Sequence, residues 1–243
     1  MLNFNVIKKS TTESTNTDLK ALARKGAPVG TVIIAESQSG GKGRMNRSFS
    51  SHKGGLYMSL LLPFDTPDSV GLITTYAAVA TAHAIERLAP ISVKIKWVND
   101  LLACSKKICG ILAEGVCRED GNFVVLGIGV NLTGKIPDEL SPIAATVRDL
   151  CGCEIHPLDL AKEILSEFAD FDKASLDSHI DEYRHRCMIL GKSITVIPHS
   201  SATYGARALD ITNNGGLLVR REGDGATEAL FSGEVSVREG GAL

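Results

Sequence analysis

The sequence predicts an α+β protein, with strands and helices mixed through a larger N-terminal region and a small barrel of closely spaced strands after it. Three observations predict this. Apolar strand-like runs at 31–35, 56–62, 93–97, 107–114 and 123–130 are interleaved with helical patterns. Residues 157–173 begin with proline and place apolar side chains at 158, 160, 161, 164, 165 and 168, one face of a helix. After Leu190 the runs shorten to 192–198, 205–213, 216–221, 228–231 and 234–238, with Asn214–Gly215 and Asp224–Gly225 as turn signals. About fifty residues of this kind fit a small barrel. The boundary is placed near residue 188, giving regions 1–187 and 188–243.

The elements follow in order. Ser14-Thr15-Asn16 can cap a helix over Thr17–Lys25 that Gly26 stops in the left-handed conformation. Thr31–Ala35 and Leu56–Leu62 are strands flanking a long loop, and Ser69–Leu88 is an alanine-rich helix. Thr74, Thr75, Thr81, His83, Glu86 and Arg87 in that helix make it a buried element rather than a membrane span. A turn at Asn99–Lys106 joins the strands Val93–Trp97 and Lys107–Glu114. Phe123–Val130 is a further strand, and Leu176–Cys187 a last helix.

At 243 residues with net charge −2 and 44% hydrophobic content, the chain can bury a sizeable core and has no general attraction to DNA or membranes. Six cysteines make no CxxC pair and no zinc spacing. With no apolar leader in MLNFNVIKKS, they read as reduced thiols of a cytoplasmic protein.

The loop 35–59, AESQSGGKGRMNRSFSSHKGGLYMS, sets Lys42, Arg44, Arg47 and Lys53 against one acid, Glu36. Gly40, Gly41 and Gly43 let the backbone approach a ligand, and consecutive N–H groups in such turns cradle anions. Arginine adds donors matched to phosphate or carboxylate. A solvated hairpin connection is the plain alternative. Concentrated basicity in a chain of slight negative charge favours an anion site.

Common nucleotide signatures fail. Gly191-Lys192-Ser193 lacks the earlier glycine of a P-loop, where Arg186 stands, and neither Gly41-x-Gly43 nor Gly127-x-Gly129 continues to a third glycine. A second constellation runs Lys94-Ile-Lys96-Trp97-Val98-Asn99-Asp100, then Lys106-Lys107-Ile-Cys-Gly110-Ile-Leu-Ala-Glu114. Asn99 and Asp100 either shape a turn or reach a ligand. Lys107 is either a surface flank or a cation brought beside the basic loop.

These motifs occur in one order: Ser14-Thr15-Asn16, Glu36-x-Gln38, Gly41-Lys42-Gly43-Arg44, Arg47, Lys96-Trp97-x-Asn99-Asp100, Lys107-x-x-Gly110-Ile-Leu-x-Glu114, Gly127-Ile-Gly129-Val-Asn131 and Gly233-Glu234-x-x-x-Arg238. In that order they resemble biotin protein ligase (biotin–acetyl-CoA-carboxylase ligase). The resemblance implies a mixed-sheet catalytic domain related to class II aminoacyl-tRNA synthetases and a C-terminal SH3-like barrel. It also implies a two-step reaction: biotin and ATP give biotinyl-5′-AMP and pyrophosphate, then a carrier lysine takes the biotin. ATP and biotin are then substrates, and Mg²⁺ arrives on the phosphates, with no ligand set from the protein.

By the same resemblance Ser14, Thr15, Asn16 and Gln38 would hold the ureido ring and its surroundings. Gly41, Lys42 and Arg44 would run along the carboxylate and phosphate, and Arg47 would hold phosphate or pyrophosphate. Lys107 would contact the acyl-phosphate, Gly110 would leave room for the biotin chain, and Asn131 would lie against adenine. Asn99 and Asp100 would shape the corner and help hold metal-bound phosphates, and Glu234 and Arg238 would reach back toward the nucleotide or brace the loop. Lys42, Asn46, Phe49 and Val98 stand where the family usually has arginine, glycine, tryptophan and proline. Phe49 could still cover adenine. Only thirteen residues precede Ser14, so the short form without a DNA-binding domain is expected, acting on a biotin carboxyl carrier protein as a homodimer. Lipoate ligase, a catalytically silent binding or regulatory protein and a single-strand nucleic-acid binder are the competing readings.

Overall fold

The computed structural model describes residues 1–171, 177–198, 202–231 and 235–239, the last group by backbone. Its larger sheet contains seven strands: β1 (Asn5–Lys9), β2 (Thr31–Ala35), β3 (Gly55–Pro63), β4 (Lys94–Lys96), β5 (Asp100–Ala103), β6 (Lys106–Arg118) and β7 (Gly121–Asn131). Their spatial order is β1-β2-β3-β7-β6-β5-β4. The β1–β2 pair is parallel and the others antiparallel, so the sheet is mixed.

Side-chain alternation divides this sheet into two faces. Leu56, Met58, Leu60 and Leu62 of β3 point with Val124, Leu126, Ile128 and Val130 of β7 into the main core. That core is covered by α2 (Pro67–Leu88), α4 (Pro157–Phe168) and α5 (Ile180–Arg186). Each such buried side chain contributes roughly 1.5–3 kcal/mol relative to exposure, so the central strands are firmly held. On the other face Leu61, Val116, Phe123 and Val125 pack against Leu19 and Ala23 of α1 (Thr15–Arg24). Ser14 caps α1 and Gly26 follows it at φ 89°.

The interface of α5 with α2 is closed by ions. Arg186 donates to both carboxylate oxygens of Glu86 at 2.8 and 2.9 Å, and Glu86 also accepts from Val93 N. Burial alone would raise the Glu86 carboxyl, but these bonds outweigh it and hold it below its ordinary value. A depressed carboxylate stabilises the fold above its unfolded pKa, about 4.3, and loses that contribution as pH falls through the folded value. Acid titration of the melting temperature should therefore show a decline below that range, and Glu86→Gln should make it shallower.

Five further strands, β8 (Ser193–Pro198), β9 (Tyr204–Ile211), β10 (Leu217–Arg221), β11 (Thr227–Leu230) and β12 (Val235–Glu239), form an antiparallel sheet in the order β11-β10-β9-β8-β12. The main core continues into it through Ile194, Val196, Ala206 and Val219. Across the junction Trp97 Nε1 donates to Gly215 O at 3.1 Å, and Arg184 Nε donates to Ile211 O at 2.8 Å.

Several departures from the sequence reading concern this frame. Asn99–Lys106 is not a plain turn: it contains β5, hairpinned to β6 through Cys104 and Ser105 at φ 48° and 63°. The helix expected over 157–173 ends at Phe168, where the following carbonyl, Ala169 O, accepts from Leu2 N. The helix expected from Leu176 begins at Ile180, and Leu176 itself lies outside the described residues.

Candidate active site

The cleft is formed on the α1 face of the large sheet, where large side chains give way to glycine. One row across the strands reads Tyr57–Gly129–Gly110–Asp100, and the next reads Ser59–Gly127–Leu112. Beyond them Leu61, Val125, Val116 and Phe123 fill the space under α1, with Glu114 beside Val125. The two glycine-bearing rows leave a trough of about 310 Å³, within the range of small-molecule sites.

Its floor admits close neighbours only because it lacks Cβ atoms. A Cβ at Gly127 would lie 2.2 Å from Asn16 Oδ1, and one at Gly129 would lie 2.7 Å from the Phe49 ring. One at Gly110 would meet the same ring at 3.0 Å. Phe49 thus rests on the two glycines, edge-on to Tyr57 at 6.4 Å, with Lys107 Nζ 5.9 Å from its ring centre. The side chain suggested for covering adenine therefore sits, in this state, over the glycine kept small for the biotin chain.

The neutral end of the cleft is formed by the start of α1. Thr15 N donates to Gln38 Oε1 at 2.8 Å, and Gln38 Nε2 donates to Ser51 Oγ at 2.8 Å. Asn16 Nδ2 donates to Glu114 Oε2, and Ser59 Oγ contacts both Thr15 and Asn16. Gly41 sits beside this group; a Cβ there would meet Phe49 O and Ser51 Oγ, both at 2.4 Å. The glycine lets the two arms of the basic loop touch, with Phe49 N donating to Gly41 O at 2.8 Å.

The cationic end is formed by the loop and the β4–β5 corner. Arg44 Nη1 donates to Asn99 Oδ1 at 3.3 Å, while Asn99 is pinned to β6 by Nδ2 donating to Ile111 O at 2.7 Å. Lys107 Nζ lies 2.6 Å from Asp100 Oδ1. Burial pushes the Arg44 guanidinium down from its ordinary value, Arg47 adds to this and Asp100 opposes it. Arginine nevertheless stays charged, so a partly desolvated cation faces the cleft. The Trp97–Val98 peptide of the corner is cis, and the buried Tyr183 donates to Val98 O at 3.0 Å.

Ser14, Thr15, Asn16, Gln38, Phe49 and Gly110 all line this one cleft, as do Lys42, Arg44, Arg47, Asn99, Asp100 and Lys107. Asn131 instead ends β7 and lines a smaller neighbouring cleft with His52 and Gly134, separated by Tyr57. Arg238 lies on β12, its side chain outside the described residues, as is the whole of Glu234. Sequence reasoning missed Tyr57 and Ser59, and gave no role to Lys96, Gly127 or Gly129 although it quoted all three in motifs. Their signal was present only as polar or small residues at alternate positions of apolar strands.

Chemically, the cleft can take an elongated molecule with a neutral hydrogen-bonding head at one end and concentrated negative charge at the other. Asp100 is the one acid among the described lining residues. No group of three or more metal-binding side chains occurs among the described residues. A divalent ion would come with a phosphate ligand, and the Asp100 carboxylate and Asn99 amide oxygen suit its outer contacts.

A mixed sheet carrying such a two-ended cleft suits an elongated organic anion. The comparisons identify the class further. The biotin/lipoate A/B protein ligase family matches residues 7–131, and the chain belongs to that family. A Biotin--[acetyl-CoA-carboxylase] ligase of Mycobacterium tuberculosis is 32% identical over 236 residues, covering 92% of this chain and 85% of the relative. Bifunctional ligase/repressor BirA of Bacillus subtilis is 39% identical over 158 residues, 63% of this chain. That match spans about half of the relative, 49%. Among solved structures, biotin protein ligase from Aquifex aeolicus in complex with biotin and ATP superposes with a TM-score of 0.81 at 26% identity, covering 97% of this chain and 99% of that one. Among the described residues, no helix is long and apolar enough to cross a membrane.

Proposed function

We propose that this chain activates biotin with ATP and transfers it to a lysine of a biotin carboxyl carrier protein. The observation that carries the reading is the pairing of a neutral, α1-built end with the Arg44–Lys107 end in one glycine-floored cleft. Biotin matches it: a ureido ring to exchange hydrogen bonds and, at the end of an aliphatic chain, a carboxylate.

In the first step a carboxylate oxygen attacks the α-phosphorus of ATP, the bond to the β-phosphate oxygen breaks, and pyrophosphate leaves. Both reactants are anions, so their approach is repulsive until it is neutralised. Arg44 and Lys107 supply that charge from fixed positions, and Arg47 serves the departing pyrophosphate. Mg²⁺ on the phosphates shares the neutralisation. In the second step the carrier lysine amine attacks the acyl carbon, AMP leaves with its bridging oxygen, and the amine gives up a proton. No covalent enzyme intermediate is required.

The loop carrying Arg44 and Arg47 is expected to be cut readily by trypsin in the free protein and protected by biotin plus ATP. Equal cleavage rates would count against ordering by ligand. The proposal extends to residues 1–187 and 188–243 as two domains, the first related to class II aminoacyl-tRNA synthetases. The second is read as an SH3-like barrel, supported by its five short antiparallel strands. A homodimer in the cytoplasm, without DNA binding, completes the reading. Intact-mass measurement of a carrier domain incubated with the chain, biotin and Mg²⁺-ATP tests it: one biotin added at the carrier lysine is expected, and an unmodified carrier would refute transfer.

A further inference from the structure

We infer that Ser59 and the Lys20–Glu114 ion pair are positioning residues that fix the donor–acceptor polarity of Asn16, and thereby the cleft's preference for a ligand with ring N–H groups. The inference rests on the biotin reading and deepens it.

An asparagine amide has two N–H donors and two acceptor lone pairs. Asn16 is buried at the inner end of the cleft, 4% exposed. Both of its protons are taken, by Leu112 O at 3.3 Å and Glu114 Oε2 at 2.9 Å. Ser59 Oγ, fully buried on β3, lies 2.6 Å from Asn16 Oδ1 and 2.8 Å from Thr15 Oγ1. Its single proton serves Asn16, an amide oxygen that can only accept. The Thr15 hydroxyl donates, at 3.1 Å, to Gln38 Oε1.

The amide cannot turn over. Reversed, its oxygen would face the Glu114 carboxylate, and like lone pairs would repel. Lys20 Nζ, 2.6 Å from Glu114 Oε1, keeps that carboxylate charged. Burial would raise the Glu114 carboxyl, but the bonds from Lys20 and Asn16 outweigh it and hold it below its ordinary value. Asn16 therefore has nothing to donate to a ligand and one lone pair with which to accept. A cyclic urea supplies the N–H this requires. A dithiolane ring has none and would leave the second lone pair of this buried oxygen unused. None of these three groups needs to touch the ligand for this to hold.

The test measures adenylate formation by wild type, Ser59→Ala, Asn16→Asp and the double variant Asn16→Asp/Glu114→Gln. Losing the fixed orientation of the residue 16 side chain should raise the biotin KM about tenfold or more in both single variants, with the ATP KM unchanged. In Asn16→Asp two carboxylates face each other. In the double variant the introduced glutamine amide donates to the new carboxylate, and most of the biotin affinity should return. A ligand-free readout accompanies it: the Asn16 side-chain amide protons should exchange slowly in wild type and markedly faster in Glu114→Ala. An unchanged biotin KM, a parallel rise for ATP, no recovery in the double variant or unaltered exchange would overturn the inference. An inactive wild type would instead remove the biotin reading, and this ligand preference with it.

Discussion

Arg44→Ala is expected to lower adenylate formation by about a thousandfold, the upper end of the range for loss of one preorganised charge-stabilising group. The geometry explains the size. Arg44 is held by Asn99 at 3.3 Å, and Asn99 is tied in turn to β6, so the guanidinium is placed before substrate arrives. Partial burial has already removed some of its water, which strengthens its pull on an anion formed beside it. Arg44→Lys should recover only part of the rate, because an ammonium keeps the charge and loses the planar fork. Removal of one loop cation beside Arg47 leaves the packed core untouched, so melting temperature should hardly move. Rapid-quench measurement of adenylate, alongside circular dichroism, checks both statements. Near-normal turnover would refute the assignment.

Lys107→Ala should cost about a hundredfold or more in the same step, for two reasons that can be separated. The lysine cation is lost, and Asp100, whose carboxylate lies 2.6 Å from Lys107 Nζ, is left as an unpaired negative charge facing an incoming triphosphate. Adding Asp100→Asn removes the second effect. The double variant should therefore be faster than Lys107→Ala alone yet well below wild type. A double variant no better than the single one would mean that Asp100 does more than partner the lysine.

Much of this frame could be read from the sequence where the chemistry was local. Thr31–Ala35 was expected as a strand and is one to the residue, because a short β-branched, largely apolar run buried on both faces has few alternatives. Asn5–Lys9 was missed. It is an edge strand whose two lysines mask the pattern, and its pairing partner begins twenty-six positions later at Thr31. β5 was missed because its hairpin uses Cys104-Ser105 in left-handed geometry where Asn-Gly would have announced the turn. The short α3 (Val147–Cys151) carried its signal in a capping box of Thr146 and Asp149 that went unread.

The site divides the same way. Its cationic end was visible because basic residues and glycines concentrate in one loop of a chain of net charge −2, and the Trp97-x-Asn99-Asp100 corner and Lys107 sit on one hairpin. The neutral end was visible in Ser14-Thr15-Asn16 only through resemblance. What orders that end lies far along the chain: Ser59 is 43 residues from Asn16, and Glu114 is 98. Ser59 looked like an interruption of an apolar strand, and the register that puts it opposite Gly127 is a tertiary fact. The position of Phe49 on Gly110 and Gly129 was hidden for the same reason, since the two glycines become neighbours only when β6 and β7 pair.

The most direct measurement offers the protein Mg²⁺-ATP with equimolar biotin and lipoate, and identifies the adenylate by mass spectrometry. The cleft described here should yield biotinyl-AMP with little or no lipoyl-AMP. Lipoyl-AMP as the main product would keep the chemistry of Arg44 and Lys107 and contradict the reading of the neutral end, while no adenylate of either acid from a folded protein would contradict the account at its centre.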